Sequence, residues 1–245
     1  MADGSVHIPE LEMFINDGWI SEVIDTIKGG KEATVYRCKA HPRCGMEYIA
    51  AKVYRDRLHR SFKNNSVYQD GRVILDKRIA RAVAKKSKTG LGAQSMLWVD
   101  HEYETLSTLH EKGADVPKPI AKAPQVILME YIGSYEAAAP QLKNAVLAPD
   151  EAKHLYHVIL DNIELWLSCN YIHADLSPFN ILYWNGLVTV IDLPQAVDPR
   201  FNSNAFDLLL RDIENVCSHF AKYGVGGDPF KIASDLWNRF QYGRL

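Results

Sequence analysis

The segment His173-Ala174-Asp175-Leu176-Ser177-Pro178-Phe179-Asn180-Ile181-Leu182 sets an aspartate and an asparagine five residues apart, and Val190-Ile191-Asp192 adds a second aspartate downstream. Phosphoryl transfer needs a carboxylate that positions or deprotonates the attacking group, and hard oxygen ligands for Mg²⁺ on the phosphates. In that scheme Asp175 is the base or orienter, and Asn180 and Asp192 hold the metal. Each residue alone has an ordinary structural explanation in a turn, a hairpin or a strand end. The three in this order, with His173 and apolar flanks, point to the chemistry.

Upstream, Ala50-Ala51-Lys52-Val53-Tyr54 places a lysine inside an apolar strand. A lysine on the inner face needs an anionic partner, which ATP phosphates and a helical glutamate would supply. Glu102 is the candidate, with Asp100 and Glu104 competing on the same segment. Gly29-Gly30-Lys31-Glu32-Ala33 lies between two expected strands. It suits a loop over phosphates or an ordinary hairpin turn, and it is neither a G-x-G-x-x-G loop nor a Walker A sequence.

The elements that must position these residues are legible as patterns. Ile8, Leu11, Phe14 and Ile15 share a helical face, closed by Gly18. Strands are expected at 23–28, 33–39, 49–54 and 126–132. Residues 55–96 are basic, polar and glycine-bearing, and read as an insertion with one basic helix at 72–87. A helix is expected at 97–112 (Val99, Leu106, Leu109). Pro117 and Pro119 read as punctuation, and a lobe boundary is expected near Gly133. The second half reads as helices at 150–169, 206–220 and 229–240 around a hairpin, 181–184 and 187–192, turned by Asn185-Gly186. Asp228-Pro229 fits an N-cap followed by a first-turn proline. Trp166, Trp184 and Trp237 read as core.

The chain has 245 residues, 47% hydrophobic and 24% charged, with a formal net charge of -2. That gives no global electrostatic case for nucleic acid or a membrane surface. The opening MADGSVHIPELEMF lacks the basic start and apolar run of a secretory signal. Cys38, Cys44, Cys169 and Cys217 form no Cys-x-x-Cys pair, so free thiols in a cytoplasmic protein are expected. Cys38, His41 and Cys44 lack regular metal-ligand spacing and read as a strand followed by a turn.

Taken together, GGKEATVY, AAKVY, EYETLSTLHEKGADVPKPI, ILMEYIG, YIHADLSPFNIL and VIDLPQAVD resemble the RIO family of atypical serine/threonine protein kinases, over roughly residues 19–225. The short Gly-Lys-Glu-Ala loop and Ile-Asp-Leu-Pro-Gln distinguish it from ordinary protein kinases. The resemblance implies an α+β, compact two-lobed kinase-like fold without the large peptide-docking subdomains. Residues 1–22 would be a helical extension, too short for the winged-helix module of one family branch. Residues 23–132 would be the N-lobe and 133–245 the C-lobe. By resemblance Lys52 binds phosphates and pairs with Glu102, and Gly30, Lys31 and Glu32 line the phosphate loop. Met129 is the gatekeeper, and the backbones of Glu130 and Ile132 hold adenine. Asp175 is catalytic, and Asn180 and Asp192 bind Mg²⁺ or Mn²⁺. Transfer would go to protein Ser/Thr, including the chain itself, or through a phosphoryl group on Asp192 in an ATPase-like cycle. A ribonucleoprotein or ribosomal partner is implied by the resemblance alone. The family often has Gly where this chain has Ala174, a change that a negative φ would tolerate.

Two other readings are carried forward. Aminoglycoside- or choline-type small-molecule kinases share the His-x-Asp-x-x-x-x-Asn loop but not the Lys-Glu-Ala or Ile-Asp-x-x-Gln stretches. A non-catalytic ATP-binding assembly module would keep every binding residue. Lys77, Arg78, Arg81, Lys85, Lys86 and Lys88 read as a solvated basic run, or as a contact for RNA or an acidic partner. Ser61, Ser66, Ser87 and Thr89 are phosphoacceptor candidates beside it.

Overall fold

Three stretches rich in β-branched and aromatic residues, separated by turn residues, form the first strands of one sheet. In a computed structural model that describes residues 7–55 and 88–245, with backbone alone at 88–95, they form β1 (Ile20–Gly29), β2 (Ala33–Ala40) and β3 (Tyr48–Tyr54). β4 (Pro119–Ala123) and β5 (Val126–Glu130) complete an antiparallel five-stranded sheet in the order β1-β2-β3-β5-β4. β3 is buried along almost its whole length because both of its faces are covered. Ile49, Ala51 and Val53 pack with Val126, Leu128, Leu11 and Phe14. The last two come from a 3₁₀ turn, Pro9–Leu11, that runs into the short helix α1 (Glu12–Asn16). Burying them contributes about 1.5–3 kcal/mol each. Tyr54 faces the other way, with Val99, Ile127, Tyr103 and Met129. Val99 and Tyr103 belong to α2 (Lys88–Glu111).

The remaining elements are α3 (Pro149–Ser168), the hairpin β6 (Ile181–Trp184) and β7 (Leu187–Val190), α4 (Ala205–Ala221) and α5 (Pro229–Gln241). Asn185 and Gly186 both have positive φ, 51° and 81°, as a type I′ turn requires. The Asp228 side chain accepts from the N–H groups of Phe230 and Lys231, with Pro229 in the first turn. The architecture is α+β: an antiparallel sheet with its helices, then a mainly helical half. Two compact units emerge among the described residues: 7–55, 88–104 and 117–138, then 105–116 and 139–245.

Several expectations are corrected. α2 begins at Lys88, so 88–96 is helix rather than insertion. Gly90 and Gly92 disfavour helix, but extending an existing helix costs far less than nucleating one. Pro119–Ala123 is an edge strand on β5, where proline is tolerated because no ladder N–H is needed. β5 ends at Glu130 and β7 at Val190. Ile15 is 41% exposed because the helix is only one turn long. Trp184 and Trp237 are half-buried, whereas Trp166 is fully buried. Among the described residues, the compact units divide after Ala138, and 105–116 goes with the second unit. The expected helix at 72–87, the basic run Lys77–Lys86, Ser61, Ser66 and Ser87 lie outside the described residues. So do the side chains of Lys88 and Thr89. All four cysteines carry free thiols. No described helix is long and apolar enough to cross a membrane.

Candidate functional site

In the first unit, strand alternation sends Lys52 to the sheet face that α2 covers. There its Nζ lies 2.7 Å from Glu102 Oε1, with both side chains buried. The competing acids do otherwise: Asp100 pairs with Lys122, and Glu104 is exposed. The Lys52 ammonium also lies 5.2 Å from the centre of the Tyr54 ring. Gly30, Lys31 and Glu32 link β1 to β2. The Gly30 N–H donates to the Ala33 carbonyl, and the Glu32 carbonyl accepts from Arg55. Met129 pairs across β5 with Ala50, two residues from Lys52. Glu130 closes β5, its N–H donating to the Lys118 carbonyl, and Ile132 follows it.

In the second unit, residues 172–180 contain no regular secondary structure, so their backbone groups need partners from elsewhere. Ile172 exchanges both bonds with Val197. Ala174 and Leu176 donate to the two oxygens of Asp212, at 2.7 and 2.9 Å. Their carbonyls accept from Arg211 and Asn215. The Asp175 carbonyl accepts from the Asn180 side chain at 2.9 Å, and the same amide reaches Asp175 Oδ2 at 3.4 Å. The Asp175 N–H donates to His173 Nδ1, which assigns the ring proton to Nε2, donating to the Ile191 carbonyl at 3.2 Å. Ile191 in turn donates to the Asn180 carbonyl at 2.8 Å. Asp175, Asn180 and the residue preceding Asp192 therefore form one hydrogen-bonded assembly.

The assembly is held from two further directions. Asp115 and Asn162 bond reciprocally, and the Asp115 carbonyl accepts from Val190, two residues before Asp192. Asp212, Arg211 and Asn215 all lie on α4. None of the three was singled out from the sequence. The signal that could have found Asp212 is a carboxylate within the apolar stripe of Leu208, Leu209, Ile213 and Val216, which a solvated face does not explain.

Burial, and then the charge of Asp192, hold the Asp175 carboxyl above its ordinary range, against the pull of Arg211 and of the Asn180 bond. Complete burial pushes Asp212 up to about 7, against the bonds from Leu176 and Ala174. Two carboxylates that feel each other, beside an asparagine carbonyl, make a hard-oxygen set. No cluster of three or more His, Cys, Asp or Glu suited to a metal occurs among the described residues. Asn180 and Asp192 alone, as protein ligands, fit Mg²⁺, which keeps waters and phosphate oxygens in its shell. They do not fit a metal held entirely by protein. The Cys38, His41 and Cys44 stretch forms the end of β2 and a 3₁₀ turn, with the Cys44 thiol on the Trp19 carbonyl.

Ala174 has φ 65°, the left-handed region, so the expected tolerance through a negative φ does not apply. The conformation costs an alanine about 1–2 kcal/mol. It is retained because both of its peptide groups are bonded to α4. Ala174→Gly is expected to raise stability by about 0.5–1 kcal/mol, the relief of strain exceeding the added chain entropy. A higher urea midpoint at unchanged slope would register it.

A family model described as the RIO domain matches residues 34–232. The serine/threonine-protein kinase rio1 of Schizosaccharomyces pombe is 32% identical over 86% of this chain and 41% of its own length. The human serine/threonine-protein kinase RIO3 is 27% identical over the same shares. This chain thus spans about two-fifths of the length of these relatives. The crystal structure of the Rio2 kinase–ADP/Mg²⁺–phosphoaspartate complex from Chaetomium thermophilum superposes with a TM-score of 0.65 at 21% identity, over 93% of this chain and 65% of that one. With the match running from β2 into α5, the chain belongs to the RIO domain family.

Proposed function

We propose that this chain is an ATP- and Mg²⁺-dependent phosphotransferase that passes the γ-phosphoryl group to protein serine or threonine, including its own. The observation that carries the reading is the single assembly of Asp175, Asn180 and Ile191, which presents Asp192 beside them. Asp175 Oδ orients the acceptor hydroxyl and takes its proton as the oxygen attacks. Lys52, fixed by Glu102, offsets phosphate charge, with the Gly30-Lys31-Glu32 turn as the covering loop. The backbones of Glu130 and Ile132 hold adenine beside Met129. Asn180 Oδ1 and the Asp192 carboxylate would hold Mg²⁺, with Mn²⁺ fitting the same set. When bound, the ion neutralises charge on the phosphates.

A second reading has one specific support, the phosphoaspartate in the Rio2 structure named above. Here Asp192 itself attacks the γ-phosphorus, ADP leaves, and water later hydrolyses the acyl phosphate, completing an ATPase cycle. Incubation with γ-labelled ATP and Mg²⁺, following released phosphate and protein-bound label together, tests both. Acid-stable label indicates Ser/Thr. Label lost to hydroxylamine indicates the aspartyl phosphate. ATP binding with neither label nor phosphate would overturn both in favour of a nucleotide-binding module. Transfer to an aminoglycoside or choline but not to protein would favour a small-molecule kinase.

A further inference from the structure

Arg37 lies on β2, opposite Asp25 on β1 and Ala50 on β3. Ala50 is paired in turn with Met129, so Arg37, Ala50 and Met129 form one row across the sheet. The adjacent row contains Val35, Lys52 and Ile127, and alternation puts Arg37 on the same face as Lys52. An arginine that is only 9% exposed needs partners for its charged donors. Its Nε and Nη2 grip Asp25 Oδ1 and Oδ2 at 3.2 and 2.5 Å. Its Nη1 donates to the carbonyls of Tyr135 and Ser134. The rings of Tyr48, Tyr131 and Tyr135 surround it, their centres 5.8–5.9 Å from the guanidinium carbon.

The segment so gripped directly follows Glu130 and Ile132. It closes on itself: Ser134 N–H donates to the Ala137 carbonyl, and Gly133 bridges to Ala138. Ser134 Oγ accepts from Glu136 and Ala137, and Tyr131 Oη donates to the Ser134 carbonyl. Gly133 has φ 145°, and a Cβ there would lie 2.6 Å from the Ala137 oxygen, so the loop has one tight path. Among the described residues, the Arg37 fork ties that path to the sheet through both a carboxylate clasp and carbonyl bonds. A lysine, with one point charge, cannot hold both at once.

We propose that Arg37 is a positioning residue for adenine recognition, fixing residues 131–138 and through them the backbone groups of Glu130 and Ile132. It rests on the reading that those two backbones hold adenine. Arg37 touches no phosphate in this scheme, so its loss separates the two ends of the nucleotide. Displacing a binding backbone by a fraction of an ångström costs substantial affinity at that group alone.

The test is calorimetric titration of wild type, Arg37→Lys and Arg37→Met with two probes, adenosine and Mg²⁺-tripolyphosphate. Adenosine affinity is expected to fall about 10-fold or more in both variants, with tripolyphosphate affinity changed less than about 2-fold. Amide exchange at 130–138 should rise while that of β1 and β2 stays protected. Should either variant fail to fold, Asp25→Asn keeps the arginine but loosens its clasp, with about a 3-fold loss for adenosine expected. Unchanged adenosine affinity overturns the proposal. So does an equal loss for both probes, the mark of a merely structural role. Wild type that binds tripolyphosphate but not adenosine removes the adenine assignment and the proposal with it. Wild type that binds neither probe removes the nucleotide reading itself.

Discussion

Asp175→Asn is expected to lower phosphate release and protein labelling by roughly 10³-fold while leaving ATP affinity within about 3-fold of wild type. The asparagine is nearly isosteric, and the loop bonds made by the backbone of residue 175 do not involve the altered atoms. What disappears is an ionised oxygen that can receive a proton. Asp175 lies above the ordinary carboxylate range, so it protonates at higher pH than an exposed aspartate. Activity carried by its ionised form should therefore fall as pH drops, with the acidic limb displaced upward. Parallel loss of ATP binding in Asp175→Asn would show that Asp175 holds the nucleotide rather than the acceptor. Unchanged turnover would remove Asp175 from the chemistry altogether.

What could be read in advance followed from how local each signal is. The loop 173–180, the Asn185-Gly186 turn and the Asp228 cap are written within a few residues, and their chemistry is fixed by residue type. Lys52 could be placed because alternation along β3 is local, and Glu102 only as one of three acids, since helix phase decides among them. The position of Asp212 within the apolar stripe of α4 signals burial, but what it bonds is not local, because its partners lie 36 and 38 residues away. Asn162 lies among the apolar residues of α3, where nothing local shows that its side chain bonds Asp115 across 47 residues. β4 escaped because its burial is only partial, and Pro119, with Pro117 just before the strand, imitates a loop. Its strand character comes from β5, which needs a partner on that side.

Asp212→Ala is expected to destabilise the protein by on the order of 3 kcal/mol. It leaves the N–H groups of Ala174 and Leu176 buried with no acceptor, at about 1–3 kcal/mol each. Asp212→Asn restores one acceptor but turns an NH₂ group toward the second N–H, so it should recover only part of that loss. In either variant, turnover should fall at least tenfold even where the protein remains folded, because residues 174–176 lose the contact that aims Asp175. A pH series distinguishes a buried titrating carboxyl from a simple hydrogen-bond acceptor. Asp212 is raised to about 7, above an unfolded value of about 3.9. The folded protein thus binds this proton more tightly than the unfolded chain does. The resulting stability is fully present below about pH 4 and is lost as pH rises toward 7. Asparagine carries no such proton, so the advantage of wild type over Asp212→Asn in urea should narrow between about pH 5 and pH 8. An advantage that widens instead would mean that the two N–H bonds and Arg211 outweigh burial. Asp212 would then be an ionised clamp throughout that range, stronger at neutral pH than in acid.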